Sequence, residues 1–207
     1  MKNTDFLPEH YEEIIRYLRD GGVAILPTDT IPGFSADPEN SNAVHQISAL
    51  KNRPLDSPFL LLVPDFLTAE RLCIFSEKAR NLVNRFWPGP LTLLLKRKNG
   101  VFPDFFPNHK ELALRIPGDE DVRKFLNTYG KPLVSTSVNY SGLPPMTSAD
   151  EIEIAFHDQK LLLSFRPDEK KTGTESTIVR VDGEDISIIR EGIISEHEIE
   201  KAQSHFL

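Results

Sequence analysis

Short apolar runs alternate with amphipathic stretches along most of the chain. Residues 23–26 (VAIL), 59–63 (FLLLV) and 161–165 (LLLSF) are apolar runs of strand length, and 91–96 (LTLLLK), 112–116 (LALRI) and 133–137 (LVSTS) are strand-length segments that begin apolar. Bounded by turn residues, such runs predict buried strands. Between them the spacing becomes helical. Tyr11, Ile14, Ile15 and Leu18 share one face of a helix that Gly21-Gly22 stops. Ser41 is the expected N-cap of a helix carrying Val44, Ile47 and Leu50. A further helix over 76–86 turns Ala79, Leu82, Val83 and Phe86 inward, and Trp87-Pro88-Gly89-Pro90 breaks it. Residues 97–110, with Pro103 and Pro107, read as a loop. Val122, Phe125, Leu126 and Tyr129 mark a helix closed by Gly130, and Ser148 with Glu151 has capping-box spacing for a helix through 156. Residues 177–181 and 186–190 form an expected hairpin around Asp182-Gly183, followed by a short polar helix near 196–203. Strands and helices intermix without repeat or low-complexity linker. This predicts one α/β domain, and the late hairpin predicts a mixed sheet.

Composition sharpens this picture by exclusion. Of 207 residues, 39% are hydrophobic and 27% charged, which is a globular balance. The formal net charge of -7 is unfavourable for a nonspecific nucleic-acid binder, which needs a broad cationic face, although a local basic cleft is compatible with it. Cys73 is the sole cysteine, so neither an intrachain disulfide nor a cysteine metal cluster is available. Its neighbours Leu72, Ile74 and Phe75 make it a small buried hydrophobe by expectation. The first ten residues lack an apolar signal core, and no run reaches the ~20 apolar residues of a membrane span. The expected protein is soluble and cytoplasmic. The six histidines are scattered, and no side-chain metal cage is expected.

Phosphate-loop, dinucleotide, zincin and nucleophile-elbow signatures are absent. The candidate chemistry sits in polar segments at element ends. Pro27-Thr28-Asp29-Thr30 follows the first apolar strand, where open α/β sheets bind ligands. Its hydroxyls suit a polar substrate, and a side-chain-capped turn explains them equally. Lys51-Asn52-Arg53-Pro54 puts two cations at a helix end. It reads either as a polyanion clamp or as cations complementing the helix dipole. Ser135 through Gly142 (STSVNYSG) leaves a strand with a dense set of donors and acceptors. Arg115 interrupts an apolar strand and requires an anion, whether substrate carboxylate or structural partner. Ser176 and Arg190 flank the hairpin and are further candidates for ligand contact.

In order, PTDTIPGF (27–34), KNRP (51–54), FWPGPLT (86–92), LALRIP (112–117), STSVNYSG (135–142), ESTIV (175–179) and IIREG (188–192) closely resemble the YrdC/Sua5/YciO family. The likeness spans about 22–192. It implies a single YrdC-like domain with a twisted, mixed, open sheet, flanking helices and a large concave cavity, and no additional C-terminal Sua5 domain. The implied activity is that of a nucleotidyltransferase, L-threonylcarbamoyladenylate synthase. It joins L-threonine, bicarbonate and ATP, with release of pyrophosphate, for the threonylcarbamoyl modification of tRNA. Other proteins carry out the transfer to tRNA.

By resemblance, Lys51, Arg53, Ser137 and Asn139 form the signature around the ATP phosphates and the carbamate. Ser57 and Arg190 match nucleotide contacts, and Thr30, Arg115, Ser135 and Ser176 match the threonine site. Mg²⁺ is expected to arrive with ATP. Pro32 stands where many relatives have an aromatic residue and Leu62 where some have a histidine, which bears on amino-acid specificity. The competing readings are a double-stranded-RNA or tRNA-binding module and a YciO-like paralogue with altered activity.

Overall fold

The structure, a computed structural model, describes residues 1–53, 59–102, 109–166 and 173–204. These residues form ten strands, β1 (Lys2–Asp5), β2 (Val23–Leu26), β3 (Gly33–Ala36), β4 (Leu60–Leu62), β5 (Leu91–Lys96), β6 (Glu111–Arg115), β7 (Leu133–Ser137), β8 (Leu161–Phe165), β9 (Thr177–Asp182) and β10 (Asp185–Arg190). Seven helices accompany them: α1 (Tyr11–Arg19), α2 (Ser41–Lys51), α3 (Phe66–Leu72), α4 (Glu77–Phe86), α5 (Glu120–Tyr129), α6 (Ala149–Phe156) and α7 (Glu196–Ser204). All strands join one sheet in the order β1-β8-β2-β3-β7-β4-β6-β5-β9-β10. Parallel pairs (β1/β8, β2/β8, β4/β6, β5/β9) mix with antiparallel ones, as expected for a mixed open sheet.

The two-residue period of the strands divides the interior. Val23 and Ile25 of β2 join a large core under α2, α3, α4, α6 and α7. Ala24 and Leu26 join a smaller core under α1 and α5. Leu61, Leu93, Leu114, Val134 and Val179 all enter the large core. Their alternates on the same strands, including Leu60, Leu94, Ala113, Ser135 and Ile178, point instead into a cavity. The small core draws its helical residues from α1 and α5 alone, and beyond their reach this face of the sheet is hollow.

Several boundaries differ from the sequence pattern. The N-cap of α2 is Asn40, whose Oδ1 accepts from Ala43 N at 3.1 Å, and Ser41 is the first helical residue. Strands β1 and β3 and helix α3 are additional to the expected elements. Phe86 is only half-buried at the end of α4. Cys73 is 1% exposed, and burial pushes its thiol up to about 12, in line with a small core residue. Among the described residues no helix is long and apolar enough to cross a membrane.

Candidate functional site

The hollow is a cavity of about 320 Å³, near the lower end of ligand-binding sizes. It spreads across the sheet face, where the sequence position of Thr28 and Thr30 suggested a site beyond strand ends alone. Thr30, Arg53, Arg115, Ser135, Ser137, Ser176 and Arg190 all line it. Pro32 and Leu62 line it too. Lys51 and Asn139 lie behind this lining, and Ser57 falls outside the described residues.

The Lys51 ammonium is neither a solvated helix-end charge nor directed at open space. The residue is 3% exposed. Its Nζ donates to Ser137 O at 2.5 Å, to Ser137 Oγ at 3.3 Å, to Asn139 O at 3.3 Å and to Asn139 Oδ1. The Lys51 carbonyl also accepts from Ser141 N at 2.7 Å. The last residue of α2 therefore fixes the loop after β7 through both side chain and backbone. Burial, reinforced by the Arg53 charge, lowers the ammonium from 10.5 to about 8, against an opposing pull from Glu175. The Asn52 backbone is left-handed (φ 52°), which ends α2 and redirects the chain. Arg53 then places its guanidinium 5.4 Å from the centre of the Phe59 ring.

Arg115 sits at the end of β6 and is 2% exposed. Its Nη2 lies 2.5 Å from Asp29 Oδ1, and its Nη1 donates to Thr30 Oγ1 at 3.1 Å. Nε has no partner among the described residues. Asp29 thus supplies the structural anion that an arginine in an apolar strand demands. Thr28 Oγ1 donates to Ile31 O at 2.7 Å and lies 3.0 Å from Thr30 Oγ1. With the Thr28 proton committed, Thr30 must donate to Thr28, and toward the cavity Thr30 offers only a lone pair. The segment is thus a side-chain-capped turn whose Thr28 and Thr30 also line the cavity.

On the opposite wall, Ser176 Oγ lies 2.8 Å from Thr92 Oγ1. Arg190 Nε and Nη2 donate to Ser176 O at 3.3 and 2.9 Å, and Nη1 pairs with Glu175 at 2.7 Å. Ser135 Oγ makes no hydrogen bond among the described residues, leaving it available to a ligand.

The sequence pattern marks the cations and hydroxyls as candidates but gives no such signal for Asp29, Thr92 and Glu175. Asp29 lies 86 residues from Arg115, and Thr92 lies 84 from Ser176, so no local pattern signals either pairing. An open mixed sheet with one hollow face, on which two arginines stand beside paired hydroxyls, defines the α/β class of this protein.

The chain belongs to the Sua5/YciO/YrdC family, whose model, described as telomere recombination, matches residues 16–192. It is 32% identical over 186 residues to threonylcarbamoyl-AMP synthase of Pyrococcus abyssi, covering 89% of this chain and 54% of that protein. It is 29% identical to the Vibrio parahaemolyticus protein of the same name, covering 89% of this chain and 100% of that one. The crystal structure of P. abyssi Sua5 complexed with L-threonine superposes with a TM-score of 0.86 at 29% identity, covering 97% of this chain and 59% of that one. The chain thus spans little more than half the length of the Pyrococcus protein.

Proposed function

We propose that this chain is an L-threonylcarbamoyladenylate synthase, a nucleotidyltransferase using L-threonine, bicarbonate and ATP. The observation that carries the reading is the convergence of Thr30, Arg53, Arg115, Ser135, Ser137, Ser176 and Arg190, from distant segments, on one cavity. It is supported by relatives named for this activity and by a related structure holding L-threonine.

The chemistry asks for alignment and charge neutralisation, with no protein nucleophile. The threonine amine and bicarbonate combine to a carbamate with loss of water. A carbamate oxygen then attacks the α-phosphorus of ATP, and pyrophosphate leaves. Arg53 and Arg190 face the phosphates, with Ser57 expected beside them. Mg²⁺ is part of the nucleotide substrate. Arg115 offers its guanidinium to the threonine carboxylate. Thr30 accepts from an N–H or O–H of the amino acid, and Ser135 and Ser176 complete that subsite. Lys51 holds Ser137 and Asn139 in place as much as it adds positive potential. Pro32 and Leu62 give the amino-acid side chain an apolar surround. The product would pass in the cytoplasm to proteins that modify tRNA.

The test is pyrophosphate release that requires both threonine and bicarbonate. Arg53→Ala should lower it by about 100-fold, the scale for removing one charge-stabilising group, while thermal unfolding stays within a few degrees. Near-normal release by Arg53→Ala, or release independent of threonine, would count against the assignment.

A further inference from the structure

A site for a polyanion would be expected to exclude carboxylates, yet Glu175 lines this cavity beside Arg53 and Arg190. Its Oε1 is 2.7 Å from Arg190 Nη1. The remaining Arg190 nitrogens are turned to Ser176 O, so every nitrogen of this guanidinium already has a protein acceptor. The other arginine–carboxylate pair of the cavity is different in kind. Asp29 and Arg115 have side chains only 15% and 3% exposed, which makes theirs a buried structural pair. The Glu175 and Arg190 side chains are 32% and 37% exposed, where solvent screens the attraction and an ion pair exchanges at little cost.

The backbone under Glu175 is held independently of its side chain. Glu175 O accepts from Ile193 N at 3.1 Å, and a Cβ at Gly192 would come within 2.3 Å of that oxygen. A swing of the carboxylate therefore requires no movement of the cavity wall.

We propose that Glu175 is a built-in competitor for the phosphate subsite. It occupies Arg190 in the empty cavity and yields the arginine when a nucleotide phosphate enters. Its charge holds nucleotide affinity below what the surrounding cations alone would give. This rests on the nucleotide-binding reading and adds to it an affinity-setting residue. A carboxylate that gives up Arg190 to phosphate each time the site fills also favours release of the site once pyrophosphate departs.

The test is calorimetric titration of wild type, Glu175→Gln and Glu184→Gln with ATP, in excess Mg²⁺ and separately in chelator, and with inorganic pyrophosphate. Glu184 is an exposed carboxylate of the same hairpin (76% side-chain exposure), and its variant makes the same change in net charge away from the cavity. Glu175→Gln should bind ATP and pyrophosphate about 3- to 10-fold more tightly, the scale of one partly screened charge, and Glu184→Gln should bind as wild type does. Unchanged or weaker binding by Glu175→Gln, or equal tightening by Glu184→Gln, would overturn the inference while leaving the nucleotide reading intact. Weaker binding confined to Mg²⁺ would overturn it and make Glu175 a metal ligand. Failure of all three proteins to bind any of these ligands would overturn both.

Discussion

At the scale of single residues, the site is governed by how buried charges are satisfied. Lys51 has a lowered proton affinity because burial and Arg53 disfavour its charge. Its ammonium is therefore lost as pH rises through about 8, whereas in the unfolded chain it persists to about 10.5. Between those values the unfolded chain binds more protons, so this group makes folding more favourable as pH rises across the window. Catalysis should respond in the opposite sense, because the charged clamp on Ser137 and Asn139 is lost. A pH–rate profile should fall with an apparent pKa of about 8. In Lys51→Arg, whose guanidinium stays charged, that limb should move up by roughly a pH unit or more. A flat wild-type profile across the window, or an identical limb in Lys51→Arg, would contradict this. Asp29→Asn removes the anion facing buried Arg115. It should cost about 3–5 kcal/mol in urea unfolding, and a double variant with Arg115→Met should recover most of that loss.

At the scale of elements, the sequence was a good guide wherever burial imposes a pattern. Strands β5 and β8 occupy the expected residues because each is a mainly apolar run stopped by a charge, and β7 does so on its apolar start, Leu133-Val134, after the turn at Gly130. Strand β1 (KNTD) was illegible because it is an edge strand, mostly exposed, with no apolar face to bury. Strand β3 (GFSA) is fully buried, but three of its residues are small, so it lacks a β-forming signature. Helix α3 is only seven residues long, too short to establish a period. The site was legible as a set of segments, while its pairings, made across the sheet, were not. Those pairings depend on close backbone approach at the hairpin's exit. Gly192→Ala would bring a Cβ within 2.3 Å of Glu175 O and 2.6 Å of Ser176 C. Because these are backbone atoms, the strand entry must shift. The expected outcome is a loss of about 1–3 kcal/mol in stability, together with weaker threonine and nucleotide binding in the folded fraction. Wild-type affinity for both ligands would show that this wall does not form the site.

At the scale of the whole molecule, one sheet serves two purposes. One face carries the large core, and the other is covered by α1 and α5 over part of its width, leaving the remainder as a hollow lined by both apolar and polar side chains. The net charge of -7 coexists with a cavity lined, among the described residues, by Arg53, Arg115 and Arg190 against a single carboxylate, Glu175. A net charge of this sign is unfavourable for nonspecific binding of a nucleic-acid backbone, which needs a broad cationic face. The function proposed for this cavity is to build an adenylate from an amino-acid carbamate. The most direct measurement is mass spectrometry of products after incubation with ATP, Mg²⁺, ¹³C-bicarbonate and each amino acid in turn. The expected product is a threonine-dependent adenylate carrying the ¹³C label, with pyrophosphate in equal amount. An adenylate formed equally from any amino acid, or no labelled adenylate at all, would contradict the proposed function.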